Sequence, residues 1–250
     1  MTRGDASGQP SRDAAPSSKR LSRTGRKYRL SAVGFVDTLG AKAFSDDELF
    51  MNAIAFMVDV HERISAMAKA TGTVRTTYFS DNIGASVDLE GLNPAEQKDA
   101  VRRLLRLMAG VQYYYLSEFG ILCRGGVAIG NCFHGESMVF GPALVDAYLL
   151  ESAADTPRIV VTNEVVDVAG DDVIQLYPAA PLKDPPTSEY ANLRSIDFLD
   201  AEMPGGSARA GCIEHLESVV AEVLSTLPSD SSSRMKWQWT ADRLNELKDG

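Results

Sequence analysis

RLSAVGFVDTLG, residues 29–40, is the stretch on which the rest of the chain is read. From Leu30 to Val36 it is an almost unbroken apolar run, the pattern of a strand buried on both faces. It closes on Asp37 and a glycine turn. A carboxylate therefore leaves the C-terminal end of a buried strand.

Working outward, Ser45-Asp46-Asp47-Glu48 offers an N-cap candidate with acids in the first helical turn. The helix is predicted to run to about Ala70 before Thr71-Gly72, with Phe50, Ile54, Met57, Val58, His61 and Ile64 along one stripe. Two short β-prone runs then flank Ser80-Asp81-Asn82 in a predicted hairpin. Pro94 opens a second long helix that ends near Gly120, and LCRGGVAIG, residues 122–130, is a further strand. The order is β-α-β-β-α-β, the ferredoxin-like plan, in an α+β fold with two long helices on one face of an antiparallel sheet.

Behind this unit, Val139-Phe140 reads as a short strand, and Gly141-Pro142 opens an apolar helix to Ala154. PRIVVT and DVIQLY read as strands with a short helix between them. Asp184-Pro185-Pro186 and Met203-Pro204-Gly205-Gly206-Ser207 bound a loop-rich segment. A helix follows from about Arg209 to Leu227, then a polar linker from Ser229 to Ser233 and a last helix that carries Trp237 and Trp239. The domain reading is a disordered basic tail over 1–28, one α+β domain over 29–228, and a linker with C-terminal helix over 229–250.

Charge divides the chain unevenly. Up to Arg29 there are eight basic residues against Asp5 and Asp13, a net +6, which leaves −15 for the remainder of a chain whose formal charge is −9. So acidic a body argues against nucleic acid as a partner, because phosphate neutralisation supplies most non-specific affinity. An acidic domain that handles a phosphorylated small molecule needs a cation to offset the repulsion. No run approaches a membrane span, and the three cysteines, Cys123, Cys132 and Cys212, lack metal-site spacing. A cytoplasmic location is the expectation.

In the ferredoxin-like plan the first strand is central and the hairpin lies beside it. Asp37 and Asp81, 44 residues apart, then converge at one end of the sheet. Two carboxylates brought together repel unless one is protonated or a cation lies between them. Divalent ions bridging such a pair stabilise the attacking and leaving oxygens of phosphoryl transfer. The turn after Asp37 would add backbone N–H groups at a helix entry, where phosphate oxygens bind. Two unrelated loop aspartates are the alternative. Cys132 and His134 lack a second pair for zinc, so His134 reads as a loop residue. Asp146 and Glu151 read as acids on a helix surface. Tyr113-Tyr114-Tyr115 reads as core and dimer contact.

FVDTLG followed by FSDN is similar to the paired-aspartate signature of the class III nucleotidyl cyclases, and RGGVAIG with FGPALVDAYLLESA resembles that family's following strand and helix. The likeness spans roughly Ser31 to Val161. It implies that Asp37 and Asp81, with the backbone carbonyl of Thr38, hold two Mg²⁺ or Mn²⁺ ions, and that the protein works as a homodimer with sites at the interface. Purine-selecting members carry a Lys four residues before the second Asp and an Asp or Thr three before the helix-opening Gly. Thr77 and Met138 stand there. The family's Asn and Arg beyond that Gly are replaced by Val145 and Leu149.

TYFSDN, RGGVAIG and GPALVDAYLLES together resemble the pyrimidine (uridylate and cytidylate) cyclases of bacterial Pycsar anti-phage systems. That resemblance assigns Phe35, Tyr78 and Arg124 to the nucleotide, with Arg124 catalytic beside Asp37 and Asp81. A phenol beside the hairpin fills space a purine would need, and a guanidinium forks onto phosphate oxygens. The expected reaction takes UTP, or alternatively CTP, to its 3′,5′-cyclic monophosphate and pyrophosphate, a messenger for a separate cyclic-nucleotide-responsive effector in antiviral defence. Rival expectations are a purine cyclase, an inactive cyclase-like dimerisation or sensor module, and an RNA-binding sheet, which the acidic body disfavours. A dehalogenase-type phosphatase lacks its second Asp, since Leu39 occupies that position.

Overall fold

The computed structural model describes residues 27–39, 47–170, 176–185, 187–202 and 207–249. The expected basic tail, the Ser45 cap and the backbone cradle after Leu39 lie outside the described residues. The first unit follows the ferredoxin-like order: β1 (Arg29–Thr38), α1 (Asp47–Thr71), β2 (Arg75–Phe79), β3 (Asn82–Asp88), α2 (Pro94–Phe119) and β4 (Cys123–His134). Then come β5 (Val139–Phe140), α3 (Pro142–Ala153), β6 (Ile159–Val161), α4 (Asn163–Ala169), β7 (Leu176–Pro181), β8 (Asn192–Ile196), α5 (Phe198–Glu202), α6 (Ser207–Thr226) and α7 (Ser232–Asp249).

The strands form one sheet in the order β2-β3-β1-β4-β6-β8-β7, with β5 paired to β4. β1 is central and antiparallel to both β3 and β4. β6 runs parallel to β4, as a crossover through α3 requires. Side chains alternate across a strand, so β1 serves two cores. Ala32 and Val36 join the main cluster beneath α1 and α2, whereas Val33 packs with Cys132, Val139 and Ala143 under α3.

α2 starts where the sequence supplies a complete cap. The Asn93 side chain accepts from the N–H groups of Ala95 and Glu96, and the Glu96 carboxylate accepts from the Asn93 N–H at 2.9 Å. Gly120 ends it in the left-handed conformation, φ 61°. Leu104, Leu105, Met108 and Leu116 are buried on its inner face, each contributing roughly 1.5–3 kcal/mol by removal from water.

Several expectations change. β1 extends through Thr38, so Asp37 lies within the strand ladder rather than just after it. Val58 is exposed and off the helical stripe, while Ile64 is buried. The side chains of Phe50, Ile54 and Met57 lie outside the described set. The loop-rich segment contains β8, which inserts between β6 and β7 because Leu193 and Ile196 complete the apolar surface there. α7 begins inside the expected linker, at Ser232. Cys123, Cys132 and Cys212 are free thiols. Among the described residues no helix is long and apolar enough to cross a membrane.

Candidate active site

The hairpin between β2 and β3 closes in two residues, Ser80 and Asp81, with Phe79 paired to Asn82. Ser80 takes a positive φ of 57°, the first central position of a tight primed turn. The turn swings Asp81 toward the end of β1, where the Thr38 hydroxyl donates to its Oδ2 at 3.0 Å. Asp37, the chain neighbour of Thr38, is thereby brought to the same end of the sheet.

Across the ladder Asp37 stands in register with Arg124 of β4. The Arg124 Nη2 is 3.7 Å from Asp37 Oδ2. Its Nε lies closer, 2.5 Å, to Oε1 of Glu151 in α3. That is a charge contact rather than an aligned hydrogen bond, because neither atom has a hydrogen-bond partner of acceptable angle. The Arg124 Nη1 reaches the Ala154 carbonyl at 3.5 Å. Glu151 is only 2% exposed, and its Oε2 accepts from the Ser152 hydroxyl at 3.1 Å.

The charges explain themselves physically. Burial, then the charge of Asp81, raises the Asp37 carboxyl above its ordinary range. Arg124 and the neighbouring Glu151 carboxyl pull it back. Burial likewise raises Glu151, against the pull of Arg124. Lys236, half-buried on α7, feels Arg124 on one side and Asp155, Asp37 and Glu151 on the other; burial is what chiefly lowers it. Acids thus outnumber bases at this end of the sheet. A cluster of hard oxygen donors with excess negative charge suits a divalent cation such as Mg²⁺ or Mn²⁺. Among the described residues no three His, Cys, Asp or Glu side chains gather as a self-sufficient metal cage. Asp37 and Asp81 therefore fit the arrangement in which one or two carboxylates share the ion with substrate phosphates and water.

Phe35 lies two residues before Asp37 on the same face and meets Tyr148 of α3 edge-on, with ring centroids 5.6 Å apart. Tyr78 is elsewhere. It stacks on His61 at 3.9 Å and packs against the main core. Its hydroxyl donates to the His61 carbonyl at 3.0 Å and lies 2.8 Å from the Ser65 hydroxyl. The structure brings together Phe35, Asp37, Thr38, Asp81 and Arg124, and turns Tyr78 toward α1.

No family model matches the sequence, and no curated protein matches it. Solved structures do. The adenylyl cyclase CyaB from P. aeruginosa aligns with a TM-score of 0.52 at 16% identity, covering 68% of this chain and 94% of that one. The monomeric guanylyl cyclase domain of the RhoGC fusion protein from the aquatic fungus Blastocladiella emersonii aligns with 0.54 at 15% identity, covering 69% and 96%. A non-canonical dimeric form of the same fungal domain gives 0.51 at 16% identity, covering 68% and 96%. The chain has the catalytic-domain fold of the class III nucleotidyl cyclases.

Within this cyclase fold two residues differ from their sequence reading. Glu151 is no surface acid. The buried apolar positions of α3, Ala143, Ala147, Leu150 and Ala153, recur with helical period, and Glu151 falls four after Ala147. That spacing carried the signal; the charge of the side chain concealed it. His134 is the last residue of β4 rather than part of a loop. Its Nε2 is 2.8 Å from the Thr77 hydroxyl and its Nδ1 2.6 Å from the Ser86 hydroxyl. Met138, Phe140, Val145, Tyr148 and Leu149 are exposed apolar residues on β5, α3 and the turn before them.

Proposed function

We propose that the protein is a nucleotidyl cyclase that converts a pyrimidine nucleoside triphosphate, UTP in preference to CTP, to its 3′,5′-cyclic monophosphate and pyrophosphate. The observation that carries the reading is the convergence of Asp37 and Asp81, through Thr38, opposite Arg124. The 3′-oxygen attacks the α-phosphorus as its proton passes to water, and the bond to the bridging oxygen of the leaving pyrophosphate breaks. Divalent cations held by Asp37, Asp81 and the Thr38 carbonyl would lower the pKa of the 3′-hydroxyl and neutralise the triphosphate. Arg124 binds phosphate oxygens through its outer nitrogens. Phe35 supports the nucleotide on the open face, and Tyr78 acts through the hairpin it fastens to α1.

Support for a pyrimidine comes from Thr77 and Met138, where the purine-selecting residues of the family would stand. The Thr77 hydroxyl is committed to His134, and Met138 carries no polar group. The exposed apolar residues of β5 and α3 supply a surface for a homodimer, consistent with a site completed at an interface. A cytoplasmic messenger synthesis that serves a separate antiviral effector is part of the same proposal, as is the division into a basic tail over 1–28, a catalytic domain over 29–228 and a linker with C-terminal helix over 229–250.

Relatives in fold that are adenylyl and guanylyl cyclases favour purine substrates as the second reading. One experiment separates the possibilities. The protein is incubated with each of the four NTPs and Mn²⁺, and products are resolved by chromatography. Cyclic UMP is the expected main product. Cyclic AMP or GMP alone would retain the cyclase and remove the pyrimidine preference. No product from any NTP would leave a binding or dimerisation module.

A further inference from the structure

Arg124 has two anions within reach, and the nearer is not its partner in the strand register. Asp37 stands directly across the ladder, yet its Oδ2 is 3.7 Å from Arg124 Nη2, whereas Glu151 Oε1 is 2.5 Å from Nε. We infer that Glu151 is a positioning residue, which draws the Arg124 guanidinium back from Asp37 so that Asp37 is left for divalent cations and the outer nitrogens of Arg124 for phosphate oxygens. This rests on the cyclase reading for the ligand, but not for the geometry.

Three features support the assignment. Glu151 is 2% exposed, and a carboxylate is rarely placed so deep without a charged partner. The contact uses Nε, the inner nitrogen, and does not occupy Nη1 or Nη2. Among the described residues the contacts of both outer nitrogens are long, 3.5 Å to the Ala154 carbonyl and 3.7 Å to Asp37, beyond the usual range for a charge-assisted hydrogen bond. Glu151 itself is fixed by the Ser152 hydroxyl and by α3, whose Ala147 and Leu150 pack directly on β4 at Gly126. The other charges that bear on this cluster are Asp81, Asp155 and Lys236. Without Glu151, the anion nearest to Arg124 among the described residues is Asp37, the carboxylate that the cations need.

The two possible roles of Glu151 predict opposite signs. As a mere negative charge it repels a polyphosphate, and its removal would tighten binding. As the anchor of Arg124 its removal loosens binding. The probe is inorganic tripolyphosphate with Mg²⁺, titrated calorimetrically into the full chain, since it has the triphosphate but nothing to cyclise. Glu151→Gln is expected to weaken tripolyphosphate and to raise the Mg²⁺ requirement, each by about tenfold. In an Arg124→Ala background the same change is expected to add less than about twofold, because the residue it acts through is gone.

Binding by Glu151→Gln equal to or tighter than wild type would overturn the assignment. So would an equal loss in the Arg124→Ala background, or a wild-type protein that binds no tripolyphosphate. If Glu151→Gln does not fold, Glu151→Asp carries the test. It keeps the charge but withdraws it by one methylene, and wild-type binding by that variant would equally overturn the role. A wild type that cyclises no NTP while showing this binding pattern would remove the cyclase reading and leave the role of Glu151 intact.

Discussion

The Thr38 hydroxyl donates to Asp81 across 43 residues of sequence, and this 3.0 Å bond ties the hairpin tip to the end of β1. It sets where one carboxylate stands relative to the other, because Asp37 immediately precedes Thr38. Thr38→Val keeps the side-chain shape and removes the donor. We expect a stability loss of about 1 kcal/mol, the worth of a single hydrogen bond, with a larger functional effect. NTP turnover should fall about tenfold as Asp81 is freed to swing. Asp37→Asn and Asp81→Asn should give no product. Asp37→Asn should also melt no lower than wild type, since burial and Asp81 already disfavour the Asp37 charge. Melting curves and product chromatography on the same preparations check all three.

Gly126 sets the distance between β4 and α3. A Cβ there would lie 2.3 Å from the Ala147 carbonyl oxygen and 2.6 Å from Leu150 Cβ. Gly126→Ala must therefore push α3 outward, at a cost of roughly 1–3 kcal/mol for overpacking. The displaced helix carries Glu151 with it. Lowered melting temperature together with weakened triphosphate binding is the expected outcome; unchanged binding at a lowered melting temperature would mean that α3 shifts without moving Glu151.

Much of this arrangement was legible in the residues. The apolar run before Asp37, the Ser80-Asp81-Asn82 turn and the capping signals of α2 each state a local preference that the tertiary structure keeps. The path of β8 was not legible. Its five residues NLRSI mix polar and apolar types, and what places them between β6 and β7 is a surface assembled from distant strands. The orientation of Tyr78 was also hidden, because strand alternation gives two faces but does not say which one a tyrosine at an edge hairpin takes. Glu151 and His134 were misread for a common reason. A polar side chain is assigned to solvent unless its partners are known, and Arg124, Thr77 and Ser86 lie far from them in sequence.

His134 gives the fold a defined acid sensitivity. Burial, then the positive charge of Arg75, pushes its pKa down to about 4 from the ordinary 6.5, with Asp88 opposing. Above pH 6.5 the imidazole is neutral in both the folded and unfolded chain, and its contribution is present in full. As pH falls from 6.5 toward 4 the unfolded chain takes up a proton that the folded one refuses, so stability declines across that window. Allowing for partial solvent exposure, the loss is about 2 kcal/mol. Asp37 and Glu151, whose carboxyls are raised, act in the opposite sense, so the comparison must be internal. His134→Asn should be less stable than wild type at pH 7.5 and lose less on going to pH 5, as read by urea unfolding at both values.

Lys236 extends the site to the C-terminal helix. α7 is held down by buried Trp237, Leu244 and Leu247, and by the ion pair of Arg243 with Asp197. The helix therefore packs on the domain, and the half-buried Lys236 ammonium lies within electrostatic reach of Asp155, Asp37 and Glu151 as well as of Arg124. On the proposed function, a cation so placed would offset some of the acidic excess that a triphosphate would meet on entry. Lys236→Met keeps the aliphatic stem and removes the charge, so the packing of α7 should persist. KM for the nucleotide should rise about threefold to tenfold, with kcat within about twofold, because the charge acts alike on bound substrate and transition state. Asp197→Ala tests the anchorage separately. It removes the buried partner of the Arg243 guanidinium and leaves it the exposed Glu246 carboxylate at 3.0 Å, which should cost up to about 3 kcal/mol and expose α7 to hydrogen exchange. If Lys236→Met lowered kcat and left KM unchanged, the ammonium would belong to the transition state instead, and α7 would be part of the chemical step.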